Sequence, residues 1–321
     1  MVFQITLFLT KIRVWYLALY SMLKIAYSPI YKYALPEGHR FPMDKYELIP
    51  EQLLYEGTVQ ETNFFHPTAL SDGEILLTHT PEFLQKLNTQ TLSKKEIRAI
   101  GFPMSKKLIE RGRHIANGTL MCARYSIDYG VAMNIAGGTH HSFADRGEGF
   151  CIYNDIAISA NILLKEGTIK KALVVDLDVH QGNGTAKIFE HEPRVFTFSM
   201  HGAKNYPGRK EKSDLDIGLP DKTKDAIYLK TLKETLPRLL ETVQPDIVFY
   251  LSGVDILASD KLGRLSVSMA GCKERDRYVL QTCKDANVPV CISMGGGYSP
   301  AIKDIIEAHA NTFRMASEIY F

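Results

Sequence analysis

Asp176, Asp178 and His180 alternate with Leu177 and Val179 directly after the apolar run 172–175. If extended geometry continues through them, a period of two turns all three to one face. Ionisable groups sharing one face of a central strand are costly unless something offsets their charge. A divalent metal ion is the simplest compensation; the alternative is a buried, hydrogen-bonded Asp/His network. Asp255, at the end of another apolar run, is placed to complete an Asp/His/Asp set. Such a set leaves coordination positions open, as catalytic metal sites do. By ligand type it suits Zn²⁺, and Fe²⁺ or Mn²⁺ are compatible with it.

The tandem His140-His141 follows Gly137-Gly138, which permit the sharp turn needed for both imidazoles to face one cleft. A histidine pair beside a metal can deprotonate water and later protonate a leaving amine. Two surface histidines are the bland alternative. Gly295-Gly296-Gly297-Tyr298 ends a further apolar run. Its glycines let backbone approach a ligand, and the Tyr298 hydroxyl either donates to a developing oxyanion or simply packs half-buried. No Lys-Ser/Thr follows and no G-x-G-x-x-G spacing occurs, so neither a phosphate loop nor a dinucleotide fingerprint is present. Of the other histidines, His201 is the one expected to approach the site. The constellation suits metal-assisted hydrolysis of a carbonyl compound.

Four apolar segments must position these groups: 131–135, 172–175, 247–251 and 288–293. Each is short, rich in β-branched residues and followed by glycine or polar residues, so each reads as a strand. Between them, 154–165, 225–242 and 273–286 read as helices. In the second, Ile227, Leu229, Leu232, Leu236, Leu239 and Leu240 are spaced for one face. Strands that do not alternate in polarity, separated by helices, belong to a sheet buried on both faces. The expected fold is therefore α/β, a single three-layer domain with a central, mostly parallel β-sheet flanked by helices. Ligands bind beyond the carboxyl ends of such strands, and all four segments carry their unusual polar residues there.

Composition sets the outer bounds. The 321 residues are 45% hydrophobic and 23% charged, which excludes disordered, collagen-like and disulfide-scaffold classes. A formal charge of +2 gives no strong pull toward nucleic acid or anionic membrane, so no direct nucleic-acid binding is expected. The doublets Lys94-Lys95 and Lys106-Lys107 read as solvated helix faces. Cys122, Cys151, Cys272, Cys283 and Cys291 are widely spaced with no C-x-x-C pair. They read as reduced structural thiols of a cytoplasmic protein, or a nuclear one in a eukaryote. Residues 1–22 are apolar but interrupted by Lys11 and Arg13, short of the ~20 uninterrupted residues of a membrane-spanning helix. They also lack the order of a secretory signal. No transmembrane segment is expected; 1–22 reads as an N-terminal extension and 23–321 as one catalytic domain. The oligomeric state is not written in the sequence.

The segments Gly137-Gly138-Thr139-His140-His141, Arg146-Gly147-Glu148-Gly149-Phe150-Cys151 and Asp176 through Gly184 occur in order, followed by Ser252-Gly253-Val254-Asp255 and Gly295-Gly296-Gly297-Tyr298. Together they closely resemble the zinc-dependent histone deacetylase family of the arginase–deacetylase fold. Asp145-Arg146-Gly147, His180-Gln181-Gly182-Asn183-Gly184, Tyr206-Pro207-Gly208 and Asp260-Lys261-Leu262-Gly263 look most like its class IV branch. The likeness runs from about Lys24 to the C-terminus.

The resemblance implies a lysine deacylase with Zn²⁺ on Asp178, His180 and Asp255. It implies that His140 and His141 share the proton transfers, His141 as general base, and that Tyr298 donates to the oxyanion. Asp176 would orient His140, and Asn183 would orient His141. Some branches carry Asp at the Asn183 position; a neutral amide stabilises imidazolium less, so His141 is expected to be less basic here. Phe150 and Tyr206 correspond to the aromatic walls of an acyl-lysine channel, with Gly149 lining the same passage. A structural K⁺ is implied on Asp176 and Asp178, the Ser199 hydroxyl and the backbone oxygens of His180 and Met200, where it would offset carboxylate repulsion. The substrate is then an acyl-lysine protein or a small acylated amine. The alternatives are an acetylpolyamine-type amidohydrolase and a non-catalytic acyl-lysine reader. A dimanganese ureohydrolase is disfavoured, because Gly182 and Asn183 follow the D-x-H motif without its bridging carboxylates.

Overall fold

The computed structural model describes residues 22–321. The extension expected at 1–22 therefore lies, but for Met22, outside the described residues. Eight strands form one sheet: β1 (Lys24–Ala26), β2 (Phe64–Phe65), β3 (Val131–Asn134), β4 (Ala172–Asp176), β5 (Val195–Gly202), β6 (Leu215–Leu219), β7 (Ile247–Leu251) and β8 (Val290–Ser293). Their order is β2-β1-β3-β8-β7-β4-β5-β6, and every pair is parallel. The four segments singled out in the sequence are the middle four neighbours, β3-β8-β7-β4. All their residues are buried, as unalternating apolar strands require.

The helices are α1 (Lys45–Tyr55), α2 (Asp72–Ile75), α3 (Pro81–Thr89), α4 (Lys94–Ile100) and α5 (Lys106–Tyr129), followed by α6 (Asp155–Glu166), α7 (Asn183–Phe189), α8 (Asp225–Val243), α9 (Met269–Asp285) and α10 (Ile302–Tyr320). α5 packs on β1, β3 and β8 and against α6, while α7 reaches β5. α1, α10, α9 and α8 pack in succession as the second helical layer. This is the expected single three-layer domain, with a sheet that is wholly rather than mostly parallel. Among the described residues no helix is long and apolar enough to cross a membrane. All five cysteines are free and buried.

Several boundaries differ from the sequence reading, three of them for a visible physical reason. β4 ends at Asp176, and the chain bends through Asp178 and His180, so strand periodicity is not what brings those groups together. β8 starts at Val290, because Pro289 has no N–H to give the ladder, although its carbonyl still accepts from Val248 N–H at 2.9 Å. α9 starts at Met269, four residues before the expected Lys273. The Ser268 hydroxyl caps it by accepting from Gly271 N–H at 3.0 Å, and this outweighs the poor helix propensity of that glycine.

Arg275 on α9 is fully buried. It bonds Asp276 at 2.9 Å and donates to the carbonyls of Gly253 at 2.5 Å and Ser252 at 3.1 Å. A buried guanidinium is tolerable only when so partnered. Its effect is to fix the turn after β7 that presents Asp255.

Candidate active site

Beyond the ends of β4 and β7, Asp178, His180 and Asp255 each bring a donor atom within 4.8 Å of the others. Side chains shape the bend that does this. Asp176 Oδ1 accepts from Asp178 N–H at 3.2 Å, and Asp178 Oδ1 accepts from His180 N–H at 2.9 Å. Both are the local turns that aspartate favours. Asp255 Oδ1 accepts from Val179 N–H at 2.9 Å, fastening one strand end to the other. Gly296 N–H donates to Asp178 Oδ2 at 2.8 Å, which ties in the turn after β8.

This donor set fits a divalent ion. Asp255 Oδ2 is buried with no hydrogen-bond partner, although it lies 3.2 Å from His180 Nδ1. A β-carbon at Gly296 would stand 2.0 Å from that oxygen and 2.9 Å from Asp178 Oδ2, so glycine keeps open the cradle in front of both carboxylates. Two carboxylates and one imidazole around such a space are ligands for Zn²⁺ or a similar ion. Burial opposes the His180 cation, but the facing Asp178 and Asp255 carboxylates outweigh it and push the imidazole up to about 10. Burial raises Asp255, and the neighbouring Asp178 charge raises it further.

His140 and His141 follow β3 with ring centroids 4.1 Å apart. His140 Nδ1 lies 2.7 Å from Asp176 Oδ2, and His141 Nδ1 lies 2.6 Å from Asn183 Oδ1. These are the pairings the sequence motifs implied, and their chemistry diverges. Burial disfavours the His140 cation, but the Asp176 carboxylate more than compensates and raises His140 to about 8. Burial, with His140 and His180 nearby, holds His141 well below the usual histidine range, and the Asn183 amide only partly opposes this. Environments that drive paired groups apart in this way separate acid from base roles.

Asp155, the first residue of α6, holds the loop that carries the pair and was not found in the sequence. It accepts from Gly138 N–H at 3.0 Å, Thr139 N–H at 2.7 Å and the Thr119 hydroxyl at 2.6 Å. In sequence it reads only as an acid in the first turn of a helix. Asp155→Asn puts an N–H₂ where an acceptor is needed. It is expected to lower kcat/KM by about tenfold and stability by about 1–3 kcal/mol, read by steady-state kinetics and the denaturant midpoint. Lys45 was missed for the same reason: its buried ammonium donates to Gly295 O at 3.0 Å, and burial lowers it to about 8.

His141, His180, Gly149, Phe150, Tyr206 and Tyr298 line a cavity of about 410 Å³, a volume suited to a small ligand. Tyr206 stands edge-on to His141 with centroids 4.9 Å apart, and Phe150 lies 6.0 Å from Tyr298. Phe150 has φ +68°, a left-handed conformation that a bulky residue adopts only under constraint. A β-carbon on neighbouring Gly149 would come 2.5 Å from His141 Cδ2. The Tyr298 phenol is raised well above its ordinary value, first by burial and then by Asp255 and Asp178, so it remains a donor. Asp260 positions it by accepting from Tyr298 N–H at 2.6 Å.

His201 does not line this cavity. It lies buried on β5 with Nδ1 2.9 Å from Ser199 Oγ. The β4–β5 register sets Ser199 opposite Asp176, with Met200 next along β5. A larger groove of about 770 Å³, walled in part by Leu48, Tyr55 and Ile302, contains none of these groups.

The family model described as histone deacetylase domain matches residues 39–313. An uncharacterised protein of Picosynechococcus sp. is 42% identical, covering 92% of this chain and 99% of that one. Histone deacetylase 2 of Arabidopsis thaliana is 28% identical, covering 89% and 77% respectively. Among solved structures, an HDAC homolog complexed with SAHA superposes with a TM-score of 0.80 at 23% identity, over 92% of this chain and 84% of that one.

Proposed function

This chain belongs to the histone deacetylase domain family, and from that premise we propose that it is a zinc-dependent hydrolase removing an acyl group from N-ε-acyl-lysine or a similar acylated amine. One observation carries the reading: Asp178, His180 and Asp255 converge within 4.8 Å, and His180 among them lines a cavity that His141 and Tyr298 also line. A Zn²⁺ on those three ligands would supply Lewis acidity to the scissile carbonyl and to water.

The chain's own groups do the rest. His141, neutral at physiological pH, takes the proton from the attacking water at its free Nε2. His140 carries positive charge against Asp176, and the imidazole pair returns the proton to the departing ε-nitrogen. The products are a carboxylate and a free amine. The Tyr298 hydroxyl donates to the carbonyl oxygen as it becomes negative. Phe150 and Tyr206 flank the aliphatic stem of the substrate and exclude water from it. Asn183 holds the ring of His141 by accepting a hydrogen bond from its Nδ1–H at Oδ1, without adding a charge.

In the same reading Asp176, Asp178, Ser199 and the backbone oxygens of His180 and Met200 would hold a structural K⁺. The opposition of Asp176 and Ser199 across β4 and β5 supports it. The class IV branch is our assignment within the family, supported by Asp145-Arg146-Gly147, His180-Gln181-Gly182-Asn183-Gly184, Tyr206-Pro207-Gly208 and Asp260-Lys261-Leu262-Gly263.

The test is metal analysis of the purified protein together with turnover of acetyl-lysine peptides, long-chain acyl-lysine peptides and acetylpolyamines. Zinc near one equivalent and hydrolysis of acyl-lysine is the expected result. Hydrolysis of polyamines alone would make the chain a small-molecule amidohydrolase. Bound zinc with no hydrolysis of any of them would make it a reader.

A further inference from the structure

We propose that the mouth of the cavity selects acylated amines bearing an anionic group close to the scissile amide, with Arg40 and Arg98 as the selecting residues. This inference rests on the deacylase reading above. Both arginines are exposed, and both line the cavity of about 410 Å³ alongside His141, His180 and Tyr298. Arg40 stands over the Phe150 ring, 5.1 Å from its centroid. Arg98, in the last turn of α4, donates from Nε to the carbonyl of Lys94 at 3.2 Å. Among the described residues, neither guanidinium has a carboxylate partner.

The acids of the same region are already engaged. Glu148 accepts from Arg146 Nε at 2.8 Å and from the Tyr206 hydroxyl at 2.8 Å. Asp145 pairs with the same Arg146 at 3.0 Å. Asp260, below the rim, accepts from the backbone N–H groups of Leu262, Gly263 and Tyr298. Three arginines and three carboxylates thus balance in formal charge here, but Arg40 and Arg98 are the two guanidiniums left, among the described residues, without a carboxylate partner and so free to take one from a substrate.

An acyl-lysine whose stem lies between Phe150 and Tyr206 brings its α-carbon to this rim. A neighbouring Asp or Glu, or the α-carboxylate of a free acyl-amino acid, then reaches Arg40 and Arg98. Guanidinium groups recognise carboxylates through a planar pair of N–H donors. An acylated polyamine or a Lys/Arg-rich segment would instead place like charge against them. Exposed ion pairs are individually weak. Attraction of an acid and repulsion of a base by two arginines should still separate matched substrates by about tenfold in kcat/KM at low salt, narrowing as salt rises.

The experiment uses zinc-loaded full-length protein and acetyl-lysine pentapeptides that differ only in having Glu, Gln or Lys on both sides. A small-molecule arm compares N-ε-acetyl-lysine bearing a free α-carboxylate with its α-amide. The expected order is Glu over Gln over Lys, with the carboxylate over the amide. The Arg40→Gln/Arg98→Gln double variant is expected to level the series, and Arg40→Glu/Arg98→Glu to invert it. An acid preference in the peptides points to acidic protein segments, and one confined to the small-molecule arm points to anionic metabolites; both support the proposal. Equal rates for the Glu and Lys peptides together with equal rates for the α-carboxylate and the α-amide, with the Gln peptide turned over, overturn this inference and leave the deacylase reading intact. Absence of turnover across the whole series overturns that reading and this inference with it.

Discussion

Tyr298→Phe is expected to retain the metal content of the parent protein and to lose about 10²–10³ in kcat, the usual cost of deleting one oxyanion donor. The substitution removes only the hydroxyl. The ring keeps its contacts with Phe41 at 6.1 Å and Phe150 at 6.0 Å, so the cavity walls stand. Asp260 bonds the backbone of residue 298 rather than its side chain, so the turn stays in place as well. Because negative charge develops on the carbonyl oxygen only in the transition state, KM should change far less than kcat. Steady-state kinetics with elemental analysis on the same preparation checks this, and a kcat close to that of the parent would remove Tyr298 from the chemistry.

The second large effect is expected at Asp178. Asp178→Ala should purify without zinc and hydrolyse no acyl-lysine above background. Its Oδ1 faces His180 Nδ1 at 3.0 Å, and its Oδ2 holds Gly296 N–H at 2.8 Å. The substitution thus removes a ligand and also frees the Gly-rich turn that delivers Tyr298. Asp178→Asn separates these consequences: a side-chain oxygen remains to accept from Gly296, while the charge is gone. That variant is expected to lose zinc with a thermal midpoint close to the parent's. Treating the parent with a chelator should abolish activity, and Zn²⁺ should restore it. Full zinc occupancy and turnover in Asp178→Ala would refute the assignment of the ligand set.

Much of the sheet's centre could be read from the sequence for one physical reason. Strands covered on both faces are uniformly apolar, so the polar residues at their ends stand out against them. β3, β4, β7 and β8 were visible on that ground, and so were the groups they carry. The route from Asp176 to His180 was not: a two-residue period led to residues that do converge, although β4 stops at Asp176 and the aspartates' own backbone hydrogen bonds turn the chain. The edge strands left weaker marks. β1 and β2 are only three and two residues long, and β6 includes Gly218 and an exposed Asp216. Arg275 and Asp155 escaped notice because their partners are remote in the chain. Arg275 bonds Gly253, 22 residues away, and Asp155 bonds Thr119, 36 residues away. No local spacing encodes such pairs; folding creates them.

The strand order has a consequence for synthesis. β4 and β7 are direct neighbours, so the three candidate metal ligands can meet once residue 255 has left the ribosome. β3, whose end bears the imidazoles, touches β7 only through β8, the last strand made and the one that leads to the phenol. A nascent or prematurely ended chain lacking β8 could therefore capture zinc while remaining inert as a hydrolase. Metal acquisition would come before catalytic competence, and unfinished copies would be spared from cleaving amides indiscriminately.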